Sequence, residues 1–225
     1  MATRREYFDG CAAAHALDLV GERWALLVVR ELVLGPKRFT DLRTGLPLAS
    51  PNVLSQRLRD LEQAAIVRRR RLPPPAASAV YELTEWGRGL EPVLQALGRW
   101  GARSPSLPAA EGIGLDSFVL ALRTMYDAGR ADGLRATYEL RLGDHSFVAV
   151  VDAASFDVRP GSLRAADAVL TAAPSALAAV VFDERTLAEA VASGDVKVEG
   201  DPEAAERFVG LFPMPEPAPA FAPAD

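Results

Sequence analysis

Apolar residues recur along this chain with two periods, near 3.6 in some segments and near 2 in others, and the alternation of the two predicts its elements. Residues 11–20 and 24–34 have helical spacing, and the second run stops at Gly35-Pro36, a pair that ends helices. A short helix is expected over residues 39–44. Ser50 is then a good N-cap, and Pro51 suits the first helical position, where its missing N–H would be unpaired in any case. The helix that follows, to about residue 64, puts Leu54, Leu58 and Leu61 on one face. Asn52, Gln56 and Arg59 fall on the opposite face, with Ser55 on its shoulder. Residues 66–72 contain Arg68, Arg69, Arg70 and Arg71, and a turn-rich stretch separates them from the alternating residues 80–83, which predicts a β-hairpin. Thr84 is placed to cap a helix running to about residue 103, with an apolar stripe of Leu90, Val93, Leu94, Leu97 and Trp100.

Beyond residue 113 the pattern changes. Leu115, Phe118, Val119, Leu122 and Tyr126 share a helical face, and residues 134–142 then alternate apolar with polar, as a half-buried strand does. Further strands are expected at 147–151, 155–159, 168–171 and 196–198. A helical region opens at Pro174 and closes before Gly194, and a last helix starts at Asp201-Pro202 and bears Phe208, Leu211 and Phe212. The expected class is α+β, with an antiparallel sheet covered by helices in the second half. Residues 1–104 form one domain and 114–212 another. A linker rich in Pro, Gly and Ser covers 105–113, and a disordered Pro-rich tail covers 213–225.

Composition sharpens this division. The net charge of −5 over 225 residues, taken whole, argues against nucleic acid, but it is an average of two unlike halves. Through Ser104 there are 16 Lys and Arg against 11 Asp and Glu; from Pro105 onward there are 9 against 19. One Cys excludes an internal disulfide, and with only two His it leaves too few ligands for a structural zinc site. Glu6 and Asp9 follow Arg4 and Arg5 too closely for an export signal, and no run is long and apolar enough for a membrane span, so a cytoplasmic protein is expected.

The polar face of residues 51–64 carries side chains that match base edges: Asn and Gln for adenine, Arg for guanine, Ser for either. The same face would also suit the outside of an ordinary helical bundle. The arginine run suits a wing reaching the phosphate backbone, or a solubilising edge strand, and in a strand only about two of the four can face one way. Taken in order, Cys11, the stretch from Leu17 to Trp24, that from Leu34 to Leu42, that from Asn52 to Glu62, and Tyr81 to Gly87 resemble the HxlR family of bacterial winged-helix transcriptional regulators. The resemblance implies that the Ser50 helix enters the major groove of a double-stranded DNA operator of roughly two-fold symmetry, that the wing touches backbone, and that the protein is a homodimer. It makes Arg38, Ser50, Asn52, Ser55, Gln56, Arg57, Arg59 and Arg68 to Arg71 the candidate DNA contacts, and Leu90, Val93, Leu94, Leu97 and Trp100 the candidate dimer interface. The chain departs from the family at the Pro-rich wing tip and at Ala64-Ala65, where a glycine is expected to turn the backbone.

Cys11 lies at an expected helix start with His15 one turn on, a setting that favours thiolate. It reads either as a redox-reactive thiol, as the resemblance implies, or as a small buried hydrophobe. The order of elements over residues 114–212 resembles a sterol-carrier-protein-like domain, which implies a pocket for a hydrophobic small molecule. Phe118, Leu122, Phe147, Phe156, Phe182, Leu187 and Phe208 are its candidate lining, or else ordinary core. Nothing in the residues points to catalysis, a metal or a cofactor. The expected function is a DNA-binding transcriptional regulator controlled by a hydrophobic effector. The alternatives are a lipid carrier that uses the winged helix mainly to dimerise, and a thiol-based regulator acting through Cys11.

Overall fold

The computed structural model describes residues 7–74, 77–107, 112–182 and 184–219. The expected wing tip at Pro75 and Ala76, the centre of the expected linker at 108–111 and the tail from 220 onward lie outside them. The chain divides into two compact units, Met1–Leu94 and Gln95–Asp225. That division falls inside a helix, ahead of the Pro- and Ser-rich stretch expected to be the boundary.

The first unit holds α1 (Ala12–Val20), α2 (Ala25–Leu32), α3 (Phe39–Gly45), α4 (Pro51–Gln63), β1 (Val67–Arg71), β2 (Ala79–Leu83) and α5 (Glu85–Arg88). Helix α6 (Glu91–Gly101) begins in it. The core gathers Val28, Val29 and Leu32 from α2, Leu42 from α3 and Leu54, Leu58 and Leu61 from α4, all essentially inaccessible to water. Burying side chains of this size contributes about 1.5–3 kcal/mol each. The single helix expected from Thr84 to Arg103 is instead two. Thr84 caps α5 by accepting the Gly87 amide at 3.0 Å, and the chain turns at Gly89-Leu90 before α6.

Two close approaches fix how α4 joins the hairpin. The Ile66 amide donates to the Leu61 carbonyl and the Ala65 amide to that of Glu62, a Schellman closure that needs a left-handed residue at its centre. That residue is Ala65, at φ +55°, and the helix Leu187–Ala192 in the second unit uses Gly194 for the same closure, at φ +80°. Farther on, the Thr84 hydroxyl donates to the Ala65 carbonyl at 2.7 Å, and Gly87 sits so close that a Cβ there would come within 2.1 Å of the Ile66 carbonyl oxygen.

The second unit contains α7 (Leu115–Met125), α8 (Ala128–Ala131), β3 (Arg135–Leu142), β4 (His145–Asp152), β5 (Ser155–Pro160), β6 (Ala168–Ala172), α9 (Pro174–Val181), α10 (Leu187–Ala192), β7 (Val196–Gly200) and α11 (Pro202–Val209). The short α8 has no periodicity that would reveal it, and the helical region after Pro174 is two helices. The five strands lie in the order β5-β4-β3-β6-β7. The sheet is mixed, which corrects the antiparallel expectation: β3 pairs parallel with β6 at its centre, and the other neighbours are antiparallel. Parallel pairing requires a crossover from β5 to β6. Here that crossover runs over one face of the sheet, where the Leu163 amide donates to the Glu139 carboxylate at 3.0 Å. On the other face Ala136, Tyr138, Leu140 and Leu142 are buried, and Tyr138 meets Phe208 of α11 with ring centroids 4.7 Å apart. The stretch 213–219, expected to be part of a disordered tail, has no helix or strand but is tied back: the Ala218 amide donates to the Arg103 carbonyl, and Arg103 Nε donates to the Glu216 carbonyl.

The left-handed alanine and the crowded glycine make opposite predictions. Ala65→Gly removes a Cβ that opposes the turn and should raise unfolding stability by roughly 0.5–1 kcal/mol. Gly87→Ala should lower it by roughly 1–3 kcal/mol, because a backbone carbonyl has to move. Denaturant melts of the two variants against the parent check both, and a destabilised Ala65→Gly would contradict the reading of the turn.

Candidate nucleic-acid interface

Helix α4 presents its polar residues as its periodicity requires. The Ser50 side chain accepts the Val53 amide at 3.3 Å, Pro51 takes the first helical position, and Leu54, Leu58 and Leu61 are turned inward. Asn52, Gln56 and Arg59 are exposed and Ser55 is half-buried. They do not act singly: Arg59 Nη2 donates to Gln56 Oε1 at 2.7 Å, and Gln56 Nε2 donates to Asp60 Oδ1 at 2.7 Å. This chain of bonds holds the amide and guanidinium planes on one side of the helix, where bidentate contact with a base edge needs them. Arg57 stands apart from this group. Its guanidinium reaches Asp60 at 2.9 Å and Glu22 at 3.7 Å, and only 17% of its side chain is accessible. It ties α4 to the segment between α1 and α2.

The hairpin β1-β2 is antiparallel, with Arg68 opposite Glu82 and Arg69 opposite Tyr81. All four arginines are exposed, but they form two sets. Arg68 and Arg70 both close on the Glu82 carboxylate, at 2.7 Å and 3.0 Å. The hydrogen bond from Arg70 and then that from Arg68 hold this carboxyl below the usual carboxylate range, against the opposing effect of burial. Arg69 and Arg71 occupy the alternate positions: Arg69 lies 5.9 Å from the centre of the Tyr81 ring, and Arg71 Nε donates to the Ala77 carbonyl at 3.3 Å. Glu82 was not singled out in the sequence. Its pairing with Arg68 depends on the hairpin register, which a Pro-rich turn of unknown geometry does not specify.

A second carboxylate that escaped the sequence analysis is Glu31 on α2, 2% exposed. It accepts from Arg30 and from Lys37 Nζ, each at 2.8 Å. Burial raises its pKa, but the two cations outweigh that and hold it below the usual range. Lys37 also forms a backbone bridge with Tyr81, its amide donating at 3.0 Å and its carbonyl accepting at 2.8 Å. The turn after α2 is thereby fixed to the wing. Beside it, exposed Arg38 donates from Nε to Ser78 at the end of the wing turn.

Cys11 is the N-cap of α1 and is exposed, which excludes the buried-hydrophobe reading. The backbone amides of Ala14 and Ala13 lower the pKa of its thiol. Of the five candidate interface residues, Val93, Leu97 and Trp100 are well exposed, Trp100 at 76%. Leu94, in contrast, is buried and Leu90 is half-buried. Leu90 lines an apolar groove of about 340 Å³ with Leu19, Val20, Ile66 and Trp86.

In the second unit, Phe118, Leu122, Phe147 and Phe208 are fully enclosed, Leu187 is buried, and Phe156 and Phe182 are half-buried. Phe118 meets Phe182 edge-on, and Phe156 stacks on Tyr126 at 5.2 Å and meets Phe212. Four of the seven candidate lining residues, Phe118, Phe156, Phe182 and Phe208, thus make contacts with other aromatic rings. Among the described residues no group of His, Cys, Asp and Glu is arranged to hold a metal ion, and no helix is long and apolar enough to cross a membrane.

Comparison with known proteins agrees with this division. Residues 112–222 match the alkyl sulfatase C-terminal family, and residues 19–106 match the HxlR-like helix-turn-helix family. The reduced form of the transcriptional regulator YodB from Bacillus subtilis is a structural neighbour with 36% identity and a TM-score of 0.39, covering 43% of this chain and 95% of that one. In sequence, the chain is 34% identical to the uncharacterized HTH-type transcriptional regulator YdeP of Bacillus subtilis over 43% of its own length and 75% of YdeP. It is 40% identical to the HTH-type transcriptional regulator YodB of the same organism, over 38% of its own length and 76% of YodB. With three-quarters of both regulators spanned at this identity, the chain belongs to the HxlR-like helix-turn-helix family of transcriptional regulators.

Proposed function

We propose that the protein is a dimeric regulator that reads an operator with α4, steadies itself on the phosphate backbone with its wing, and responds to a hydrophobic small molecule held by its second unit. The observation that carries the DNA-reading role is the exposed face of Asn52, Gln56 and Arg59, with Arg59 bonded to Gln56 and Gln56 to Asp60, on a helix whose other face is locked into the core. Residues that hold each other in plane reach a base edge with little further loss of side-chain freedom. Ser50 and Ser55 belong to the same helix start and shoulder, and Arg38, beside the wing turn, joins Arg69 and Arg71 in the backbone contacts. The exposed stripe of Val93, Leu97 and Trp100 is the dimer surface, an aromatic-ended patch of the kind that interfaces favour.

Support for an effector comes from the second unit. Its match to the C-terminal part of alkyl sulfatases and its aromatic core both suit an apolar ligand, with half-buried Phe156 and Phe182 as the points of entry. Regulation then requires that the ligand bind the DNA-competent and DNA-incompetent states with different affinity. The acidic balance of this half keeps it away from phosphates. A second reading has its own observation: an exposed Cys11 thiol with a lowered pKa at a helix N-terminus suits oxidant or electrophile sensing.

Five measurements check these assignments. Arg59→Ala should flatten discrimination at one operator position by about 1–3 kcal/mol in a binding assay across single-base variants. Arg69→Ala should weaken all sequences alike and reduce the slope of log affinity against log salt by about 0.9. Native mass spectrometry should detect a copurified apolar molecule, and a chain lacking residues 105–225 should lose induction; unchanged induction rules out the effector role. Alkylation of Cys11 at neutral pH should outpace that of free cysteine, and an equal rate removes the thiol reading.

A further inference from the structure

The wing carries a carboxylate where a surface built only for phosphate would carry none. Glu82 is 9% exposed, and it receives Arg68 through Nε and Nη2 and Arg70 through Nε and Nη2, at distances between 2.7 and 3.1 Å. Two guanidiniums are thus committed to one acceptor on the same face of the hairpin. No carboxylate pairs with Arg69 or Arg71 among the described residues; the first lies over Tyr81 and the second is held by a backbone carbonyl. A guanidinium engaged by a carboxylate has to give up a charge-assisted bond before it can take a phosphate.

We propose that Glu82 is a positioning residue that holds Arg68 and Arg70 off the phosphate backbone, so that the wing engages DNA through Arg69 and Arg71 alone and sequence-independent binding is kept weak. The inference rests on the reading of the hairpin as a DNA-contacting wing. Its physical basis is that affinity for any duplex rises with each phosphate neutralised, whatever the sequence, whereas discrimination comes from base contacts. Four free arginines on one hairpin would increase binding to every site equally and lower the ratio of specific to random binding. One buried acid limits the wing to about two contacts and leaves the base-reading face of α4 to decide the site. The lowered pKa of Glu82 keeps it ionised at neutral pH and so keeps the restraint in place.

The test is fluorescence anisotropy of the full chain on a random-sequence duplex from about 50 to about 200 mM salt, the range over which such slopes are resolved. Glu82→Gln keeps the shape but releases the charge. It should bind this duplex several-fold more tightly and steepen the salt slope by about 0.9 for each arginine set free. In the parent background, Arg69→Gln and Arg71→Gln should each shallow the slope by about 0.9, while Arg68→Gln and Arg70→Gln leave it nearly unchanged. These four exposed substitutions keep the idea testable if Glu82→Gln folds poorly. Equal slope losses for all four arginines, or a folded Glu82→Gln with the parent's slope, would overturn the assignment of Glu82 while leaving the wing a DNA contact. No binding of duplex by the parent at any salt would overturn both.

Discussion

The first unit is organised around a charge that cannot reach water. Glu31 lies in the core-facing side of α2, and its carboxylate is held by Arg30 and Lys37. A buried acid of this kind contributes little net stability, because desolvation offsets most of the attraction, but removing a partner leaves an uncompensated charge. Its effect is therefore on geometry. Lys37 has to stay where the carboxylate is, the backbone of Lys37 is bridged to Tyr81, and the wing is fixed to the turn that follows α2. Helix α3 comes equally close: a Cβ at Gly45 would lie 2.1 Å from Glu31 Oε2. One carboxylate with its two cations thus sets the positions of α2, α3 and the wing, and α4 packs into the frame they form.

Charge does a different task on the outer surface. The arginine run looks like one basic block, yet alternation and one glutamate divide it into a restrained pair and a free pair. The same principle operates in the second unit, where buried Glu139 accepts from Arg141 and from the Leu163 amide. There the carboxylate fastens the crossover that makes the parallel pairing of β3 with β6 possible. In both units a lone acid among basic or backbone donors decides where a neighbouring segment lies, so counts of charge describe the halves of the chain but not their surfaces.

Much of the secondary structure was legible because periodicity survives without context. The α4 face, the hairpin, the five strands and the Ser50 and Thr84 caps follow from local spacing and from backbone groups satisfied within a few residues. The errors have a common source. The break at Gly89-Leu90 and the split after Pro174 both depend on what a segment meets, not on its own pattern. The expected Gly at the end of α4 is a related case: Ala65 takes the left-handed conformation because the hydrogen bonds of Ile66 and Thr84 over-determine it.

By itself the sequence determined which helix offers base-matching side chains, that an arginine-rich hairpin follows it, that one thiol sits at a helix start, and that basic and acidic halves are separate. These depend on residue identity and on periods of two and 3.6, which are properties of short segments. Only the tertiary structure decided which arginines are restrained, that Glu31 and Glu82 control the geometry, that the sheet is mixed, and that the aromatic residues of the second half fill a core. Those outcomes depend on strand register and long-range burial, where a carboxylate finds its partner across a hairpin or between helices, and no local pattern encodes that meeting.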